Sequence, residues 1–281
     1  IQAAWQQVAT SLAQAGIEDA GREAGIILQH ATRQSPTAFY SDLQRTLADD
    51  EVALIDHIVT RRRDREPLQY ILNSAYFYGR EFHVAPGILI PRPDTETIVD
   101  AFRVVAASCR RIVDVGTGSG AIAITLACEF PHVHVLAIDR SRRALDVAGR
   151  NATRHAVCDR VCLLQADLLS AVVGGLDAIV ANLPYIRSAD IDRLEPEVAL
   201  FEPREALDGG ADGLDLISRL CIQAARTLRA GGHLLLEVGD SQAHGVLSLL
   251  EEQQKWHALS TAPDLRGIRR VVSAVRAEYR D

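Results

Sequence analysis

Positive charge is in short supply in this chain. Its 281 residues carry 30 Lys and Arg against 37 Asp and Glu, a net charge of −7. A protein that coats a nucleic-acid backbone needs a basic face, so that class is disfavoured. The one local basic cluster, Arg61, Arg62, Arg63 and Arg65, reads as a solvated helix end. Long apolar runs are missing too. No segment approaches the ~20 apolar residues of a membrane span, and the N-terminus lacks the basic-then-apolar order of a signal peptide. Cysteine is sparse: Cys109, Cys128, Cys158, Cys162 and Cys221 form an odd set without a CxxC pair. Reduced thiols in a cytoplasmic protein are expected. Cys158 and Cys162 lack His or Asp partners at ligand spacing, and the histidines form no ligand pattern, so no metal site is expected. Internal repeats and low-complexity tracts are absent. At 48% hydrophobic and 24% charged, what remains is an ordinary globular profile. The length suits one large domain and a smaller one.

Residues 1–72 read as a small helical bundle. Trp5, Val8, Leu12 and Ile17 recur at near-helical spacing, with Gly16 as a stop. Ala24, Ile27, Leu28 and Ala31 mark a second helix, and Ser35-Pro36-Thr37 a turn or helix start. Val52, Leu54, Ile55, Ile58 and Val59 mark another helix over 49–63, ended by Pro67. Binding or positioning a partner is the expected job of this bundle. Residues 73–92 read as a hairpin linker: aromatic and β-branched residues from Tyr76 to Ile90 suggest short strands, punctuated by Gly79-Arg80 and Pro86-Gly87. Asp94 or Thr95 is placed to cap the helix that follows through Ile98, Val99 and Phe102. From residue 111 onward, strands at 112–115, 133–138, 161–165, 178–181 and 233–238 alternate with helices at 121–129, 141–153, 214–228 and 242–253. Closing strands follow at 256–261 and 271–275. That order predicts an open α/β sheet wound on both faces over residues 93–281.

The first of these strands runs into Gly116-Thr117-Gly118-Ser119-Gly120 and then a helix. Glycines there let the backbone turn tightly and pass close to a ligand, and the helix start offers unpaired N–H groups. The G-x-G-x-G spacing differs from the dinucleotide pattern, and no Lys-Ser/Thr pair follows as in a nucleotide phosphate loop. The second strand ends at Asp139, a carboxylate placed to accept both hydroxyls of a ribose. The third ends at Asp167-Leu168, where Asp167 can take an N–H from an adenine amino group. Each aspartate alone is as readily a cap or turn residue. Together, in order, they describe a nucleoside site without a phosphate requirement, which suits S-adenosylmethionine better than NAD.

The strand at 178–181 delivers Asn182-Leu183-Pro184-Tyr185 to the same edge. An amide nitrogen or aromatic amine is a poor nucleophile because its lone pair is delocalised. The Asn182 side-chain oxygen and the Leu183 carbonyl are suitable acceptors for its two N–H bonds. Gripping both hydrogens aims the lone pair and supports the positive charge that develops on nitrogen. Pro184 stiffens the turn, and Tyr185 offers a face for a planar amide or base.

Several segments carry a resemblance. They are Pro67-Leu68-Gln69-Tyr70-Ile71, Phe77-Tyr78-Gly79 with Phe82 and Val84, and Leu89-Ile90-Pro91-Arg92-Pro93-Asp94-Thr95-Glu96. Further on come Asp114 to Gly120, Asn182 to Ile186, Glu202 to Gly210, Asp212-Gly213-Leu214, Glu237-Val238-Gly239, and Asp264-Leu265 with Gly267. Over nearly its whole length the chain resembles the protein-(glutamine-N5) methyltransferases that modify peptide chain release factors. The resemblance implies a class I S-adenosylmethionine-dependent methyltransferase fold, a seven-stranded doubly wound sheet, with a small N-terminal helical bundle domain for substrate recognition. It implies methyl transfer to the glutamine of the Gly-Gly-Gln (GGQ) loop. Gly116, Thr117, Gly118, Ser119, Gly120 and Asp139 would hold the cofactor, and Asp167 and Leu168 would flank its adenine. Asn182, Leu183, Pro184 and Tyr185 would hold the glutamine amide, with Asn182 also beside the cofactor. Arg92 would contact substrate or brace the domain junction. A monomer without membrane or nucleic-acid partners is expected.

Two positions depart from the family pattern: Leu183, where the second residue of the tetrad is usually Pro, and Asn73, where Gly is frequent. The Asn-Leu-Pro-Tyr form also occurs in adenine-N6 methyltransferases acting on ribosomal RNA. The alternatives are therefore an adenine methyltransferase, a glutamine methyltransferase acting on a ribosomal protein, and a non-catalytic S-adenosylmethionine-binding module. Acidic pI weighs against the first, Pro-Arg-Pro in place of Pro-Arg-Ser against the second, and the intact Asn182 and Tyr185 against the third.

Overall fold

The computed structural model describes residues 1–278, and its contacts divide them into two units. The first comprises Ile1–Asn73 together with the distant segment Glu195–Phe201. Its helices are α1 (Gln2–Gln14), α2 (Ala20–Thr32), α3 (Pro36–Ser41), α4 (Asp49–Arg63) and α5 (Leu68–Leu72). Val8 and Leu12 of α1, Ile27 and Leu28 of α2, Phe39 of α3, and Ile55 and Ile58 of α4 form its buried core. Gly25 makes room for an indole: a Cβ there would lie 2.8 Å from the Trp5 ring, whose Nε1 donates to the Gly21 carbonyl at 2.8 Å. Ser35 accepts from the Ala38 N–H as the cap of α3, with Pro36 at the first helical position. The short helix α5 begins right after Pro67, where the sequence pattern announces only a stop. It ends on Asn73 at φ 54°, a left-handed cap that suits Gly best and tolerates Asn.

The second unit opens with the antiparallel hairpin β1 (Ser74–Phe77) and β2 (Arg80–His83). Phe77 and Phe82 join the core under the sheet. Residues 88–90, expected to be extended strand, pair with nothing in the sheets; Pro86-Gly87 before them and Pro91 after them break any ladder. A 3₁₀ turn at Pro93–Thr95 leads into α6 (Glu96–Arg103). Neither Asp94 nor Thr95 caps this helix with its side chain. Both side chains are engaged by partners across the fold.

There follow β3 (Arg111–Val115), α7 (Ala121–Glu129), β4 (His134–Asp139), α8 (Arg142–Arg154), β5 (Val161–Gln165) and β6 (Leu176–Ala181). Next come α9 (Pro196–Phe201, within the segment that belongs to the helical unit), α10 (Asp215–Thr227), β7 (Leu228–Glu237), α11 (Ala243–Glu252), β8 (Trp256–Pro263) and β9 (Arg269–Arg276). The sheet has seven strands in the order β5-β4-β3-β6-β7-β9-β8. β3 through β7 are parallel, and β9 pairs antiparallel with both β7 and β8. Strand order reverses at β3: β4 and β5 lie on one side of it, β6 and β7 on the other. Such a switch point leaves a crevice at the carboxyl ends of the strands. Burial on both faces explains the near-continuous apolar text of β3 and β6.

Candidate active site

The carboxyl ends of β5, β4, β3 and β6 lie side by side and open into one crevice of about 1160 Å³, counting its mouth. It is lined by Gly116–Ser119 after β3, Asp139 after β4, Asp167 and Leu168 after β5, and Asn182–Pro184 after β6. Arg92 and Thr95 line it as well.

The glycine turn is built from its carboxylates outward. Asp114, almost fully buried at the end of β3, accepts from the Thr117 hydroxyl at 2.6 Å and from the Ala123 N–H at 3.2 Å. This ties the turn to the first turn of α7. Burial pushes the Asp114 carboxyl up to about 7 despite these two bonds. The Thr117 hydroxyl proton is thereby committed to Asp114. Asp139 is gripped by the Gly118 N–H at 2.9 Å and the Ser141 N–H at 2.8 Å, so its position relative to the glycine turn is preset. A Cβ on Gly118 would meet nothing within 4 Å, although φ is +55°. The open side of that residue is where a ligand can pass close to backbone. Gly120 does not line the crevice; a Cβ there would lie 2.8 Å from Ile124 and 3.1 Å from Ala148, so it serves the packing of α7 on α8. Asn151 of α8, which sequence reasoning passed over, fixes the turn from behind by donating to the Ser119 and His83 carbonyls.

The tetrad after β6 rests on a polar scaffold. Asn182 donates its Nδ2 hydrogen to the Thr95 hydroxyl at 3.1 Å. Leu183 is buried, and its side chain fills the space under Gly116, where a Cβ would stand 3.1 Å from Leu183 Cδ2. Packing therefore supplies the rigidity that a second proline would have given. Tyr185 lies outside the crevice lining and directs its hydroxyl to Glu237 at 3.3 Å. Burial raises its phenol well above the usual range. The turn is then clamped by backbone pairing with the later Gly-rich segment. Ile186 N–H donates to the Leu207 carbonyl, Gly209 N–H to the Ile186 carbonyl, and Ser188 N–H to the Gly210 carbonyl. Gly209 and Gly213 are glycines because their Cβ atoms would collide with the Pro184 and Tyr185 backbone. Gln242 adds a bond to the Tyr185 carbonyl at 2.9 Å.

The four polar side chains of the Pro-Arg-Pro-Asp-Thr-Glu segment each find a partner. Arg92 pairs with Glu202, whose buried carboxylate also takes the Ile90 N–H. Asp94 pairs with Arg266 and with the buried Arg270. Thr95 supports Asn182. Glu96 accepts from the Tyr78 N–H at 2.6 Å, holding the hairpin turn. The supporting residues Thr95, Glu237, Gly209, Gly213 and Gln242 were not assigned to the site from sequence. For all but Gln242 the signal lay in the resemblance segments, whose physical purpose only the fold reveals. Among the described residues no group of His, Cys, Asp and Glu is arranged to hold a metal ion, and no helix is long and apolar enough to cross a membrane.

Comparison with known proteins agrees with this geometry. Residues 3–72 match the PrmC N-terminal domain family and residues 93–198 the methyltransferase small domain family. The release factor glutamine methyltransferase of Geobacter sulfurreducens is 40% identical over 93% of this chain and 91% of its own length. That of Moorella thermoacetica is 40% identical over 95% of each. Among solved structures, the 16S rRNA N2 G1207 methyltransferase of T. thermophilus, in complex with AdoMet and guanosine, superposes with a TM-score of 0.52. It is 22% identical over 72% of this chain and 49% of its own, a likeness of fold alone. A backbone-lined glycine turn, a preset carboxylate at Asp139 and an apolar rim at Leu168 fit the nucleoside half of S-adenosylmethionine. The chain belongs to the release factor glutamine methyltransferase family, S-adenosylmethionine-dependent enzymes with the class I methyltransferase fold.

Proposed function

We propose that this protein methylates the side-chain nitrogen of the GGQ-loop glutamine of a peptide chain release factor, at the mouth of the crevice beside Asn182. One observation carries the reading. The Asn182 Nδ2 is committed to Thr95 and both Asn182 and Leu183 line the crevice, so Asn182 Oδ1 and the Leu183 carbonyl are assigned as its two acceptors. A primary carboxamide brings two N–H donors, so the pair matches it and holds it in one orientation. S-adenosylmethionine supplies an electrophilic methyl group on sulfur. Asp139 would accept the ribose hydroxyls, the Gly116–Ser119 turn would hold the ligand, and Asp167 and Leu168 would flank the adenine. Oδ1 of Asn182 and the Leu183 carbonyl turn the amide lone pair toward the methyl carbon and stabilise positive charge building on nitrogen. Pro184 keeps the two acceptors at a fixed spacing, and Tyr185 buttresses them from behind. Arg92, held by Glu202, stands at the rim to meet the incoming peptide.

The helical unit supports a protein substrate over RNA. Of its arginine cluster, Arg61 pairs with Glu66, Arg62 with Glu23 and Glu197, and Arg65 with Glu197, so most of that positive charge is neutralised at home. A cytoplasmic, monomeric enzyme completes the proposal. The test is incubation with methyl-labelled S-adenosylmethionine, release factor and ribosomal RNA. Label in the factor is expected, and label in RNA alone overturns the reading. Asn182→Ala is expected to lower kcat about 100-fold, the scale for losing one preorganised electrostatic contact, while cofactor affinity stays within about threefold. Equal loss of both would mean that Asn182 serves to bind cofactor and does not grip the substrate amide.

A further inference from the structure

The loop after β5 is held in a costly backbone conformation, and α10 supplies the grip. Asp167 and Leu168 of this loop both line the crevice. Leu168 sits at φ 49°, in the left-handed region that a residue with a Cβ adopts only at a cost. Such a residue persists where its surroundings over-determine it. Two side chains of α10 do so here. The Leu169 N–H donates to Gln223 Oε1 at 2.8 Å, and Arg219 donates from Nη2 to Asp167 Oδ2. Arg219 and Gln223 lie one helical turn apart, and Leu216, one turn before Arg219, lines the crevice itself. Positions 216, 219 and 223 share one face of a helix, so a single stripe of α10 serves the loop. We propose that Gln223 and Arg219 are positioning residues for the base of the cofactor: they fix the loop at 167–169 in the form that tells a 6-amino purine from a 6-oxo purine.

This role rests on the reading that Asp167 and Leu168 flank the adenine. An adenine edge offers a donor, the exocyclic amine, beside an acceptor, ring nitrogen N1. A hypoxanthine edge offers the reverse, an acceptor oxygen beside an N1–H. A carboxylate only accepts, so Asp167 matches the amine and opposes the oxo group. A site built around such a bond rejects the analogue that lacks the donor. Arg219 holds Oδ2 of Asp167, and Oδ1 is assigned to the amine. The Leu168 N–H makes no hydrogen bond among the described residues, and it is assigned to N1. By anchoring the peptide between Leu168 and Leu169, Gln223 fixes the backbone on one side of Leu168. By anchoring Asp167, Arg219 fixes it on the other. Arg219 and Asp167 are both about half exposed, and exposed ion pairs add little to stability, so this pair serves aim more than folding. The same helix begins at Asp215, whose N–H donates to the Gly209 carbonyl at 3.0 Å, and the Gly209 N–H donates to the Ile186 carbonyl just after the tetrad. Base and acceptor turn are thus referenced to one rigid element.

The test is calorimetric binding of S-adenosylhomocysteine and S-inosylhomocysteine, which differ only at that edge of the base. Wild type is expected to prefer the adenine ligand by about 30-fold, the scale of a hydrogen bond to a charged group. Gln223→Leu and Arg219→Ala are each expected to cut that preference about fivefold, chiefly through weaker binding of the adenine ligand. Gln223→Glu, which keeps an acceptor for the Leu169 N–H, is expected to restore most of it. The wild-type preference in either Gln223→Leu or Arg219→Ala would overturn the proposal. So would equal weakening of both ligands, the mark of a residue that merely stiffens the pocket. Arg219→Ala removes a half-exposed side chain and decides even if Gln223→Leu fails to fold. Asp167→Asn separates this inference from the reading beneath it. That variant is expected to erase the preference, because an amide donates as well as accepts. Full preference in Asp167→Asn removes the adenine assignment and the inference with it. Lost preference there, beside the wild-type preference in both α10 variants, removes only the positioning role.

Discussion

Two side chains, Asp114 and Glu237, show how the sheet unit trades stability for a prepared site. Both carboxyls are pushed up to about 7, in each case chiefly by burial. In an unfolded chain they ionise near their ordinary values, around pH 4. Between those limits the folded state binds the protons more tightly, so stability falls as pH rises from about 4 to 7. Each tenfold difference in proton affinity is worth about 1.4 kcal/mol, which is several degrees in a unit of this size. The carboxylates held low by partners, such as Asp177 and Asp264, lose their contribution only at more acidic pH. His233, kept neutral by burial, slopes the other way. Comparing wild type with Asp114→Asn isolates the carboxyl, because that variant retains the acceptor for Thr117. The unfolding transition of the sheet unit is expected to drop between pH 5 and 8, and to drop less in Asp114→Asn. Equal drops in the two proteins would mean that Asp114 ionises normally.

At the scale of elements, local text and long-range demands part company in instructive places. The helix at 121–129 and the strand at 161–165 were legible to the residue because periodicity and flanking turns agree. The strand β7 begins at Leu228, well before His233. Its Ala-Gly-Gly text reads as a turn, yet pairing of Leu228 with Leu176 recruits it. Thr95 reads as a helix cap because a cap is the local use of such a residue. Its hydroxyl serves Asn182 instead, a partner that sequence spacing cannot suggest. Within the candidate site, the glycine turn, Asp139 and the Asn182 tetrad could be placed because strand ends announce them. The scaffold behind them could not, since it is assembled from Thr95, Gly213, Glu237 and Gln242 across the fold. Gly213 tests that scaffold. At φ +81°, a Cβ there would stand 2.3 Å from the Tyr185 carbonyl oxygen and 2.5 Å from Gln242 Nε2. Main chain cannot yield as a flexible side chain can, so Gly213→Ala must displace the turn. A shift of about 1 Å in the reacting geometry costs on the order of 100-fold in rate. That loss in kcat is expected with cofactor affinity little changed. Gly245→Ala in α11, where the nearest atom is an ordinary 3.5 Å away, is the control and should turn over normally. If Gly213→Ala turns over as fast, the Gly-rich segment is not what holds the tetrad.

At the scale of the whole molecule, the division into units does not follow chain order. Glu195–Phe201 follows the acceptor turn in sequence, yet it belongs to the helical unit. Its anchor is ionic. Arg62 of α4, only 6% exposed in its side chain, binds Glu23 at 2.6 Å and Glu197 at 2.8 Å, and Glu197 also takes Arg65 at 2.6 Å. Burial alone would raise the Glu197 carboxyl, but the bonds from Arg65 and Arg62 outweigh it and hold it below the usual range. Replacing Arg62 with Ala strips the charge from between two partly buried carboxylates. Breaking one partner out of such a group costs about 3 kcal/mol or more, because the carboxylates left behind have already lost part of their water. If the ion cluster is what recruits residues 195–201 to the helical unit, Arg62→Ala should loosen that unit selectively. Amide hydrogen exchange is expected to speed up in α2, α4 and residues 195–201, while β3, β4 and β6 keep their protection. Unchanged exchange at 195–201 would show that apolar packing holds the segment without its charges. Uniformly faster exchange across the sheet as well would show that the two units unfold as one.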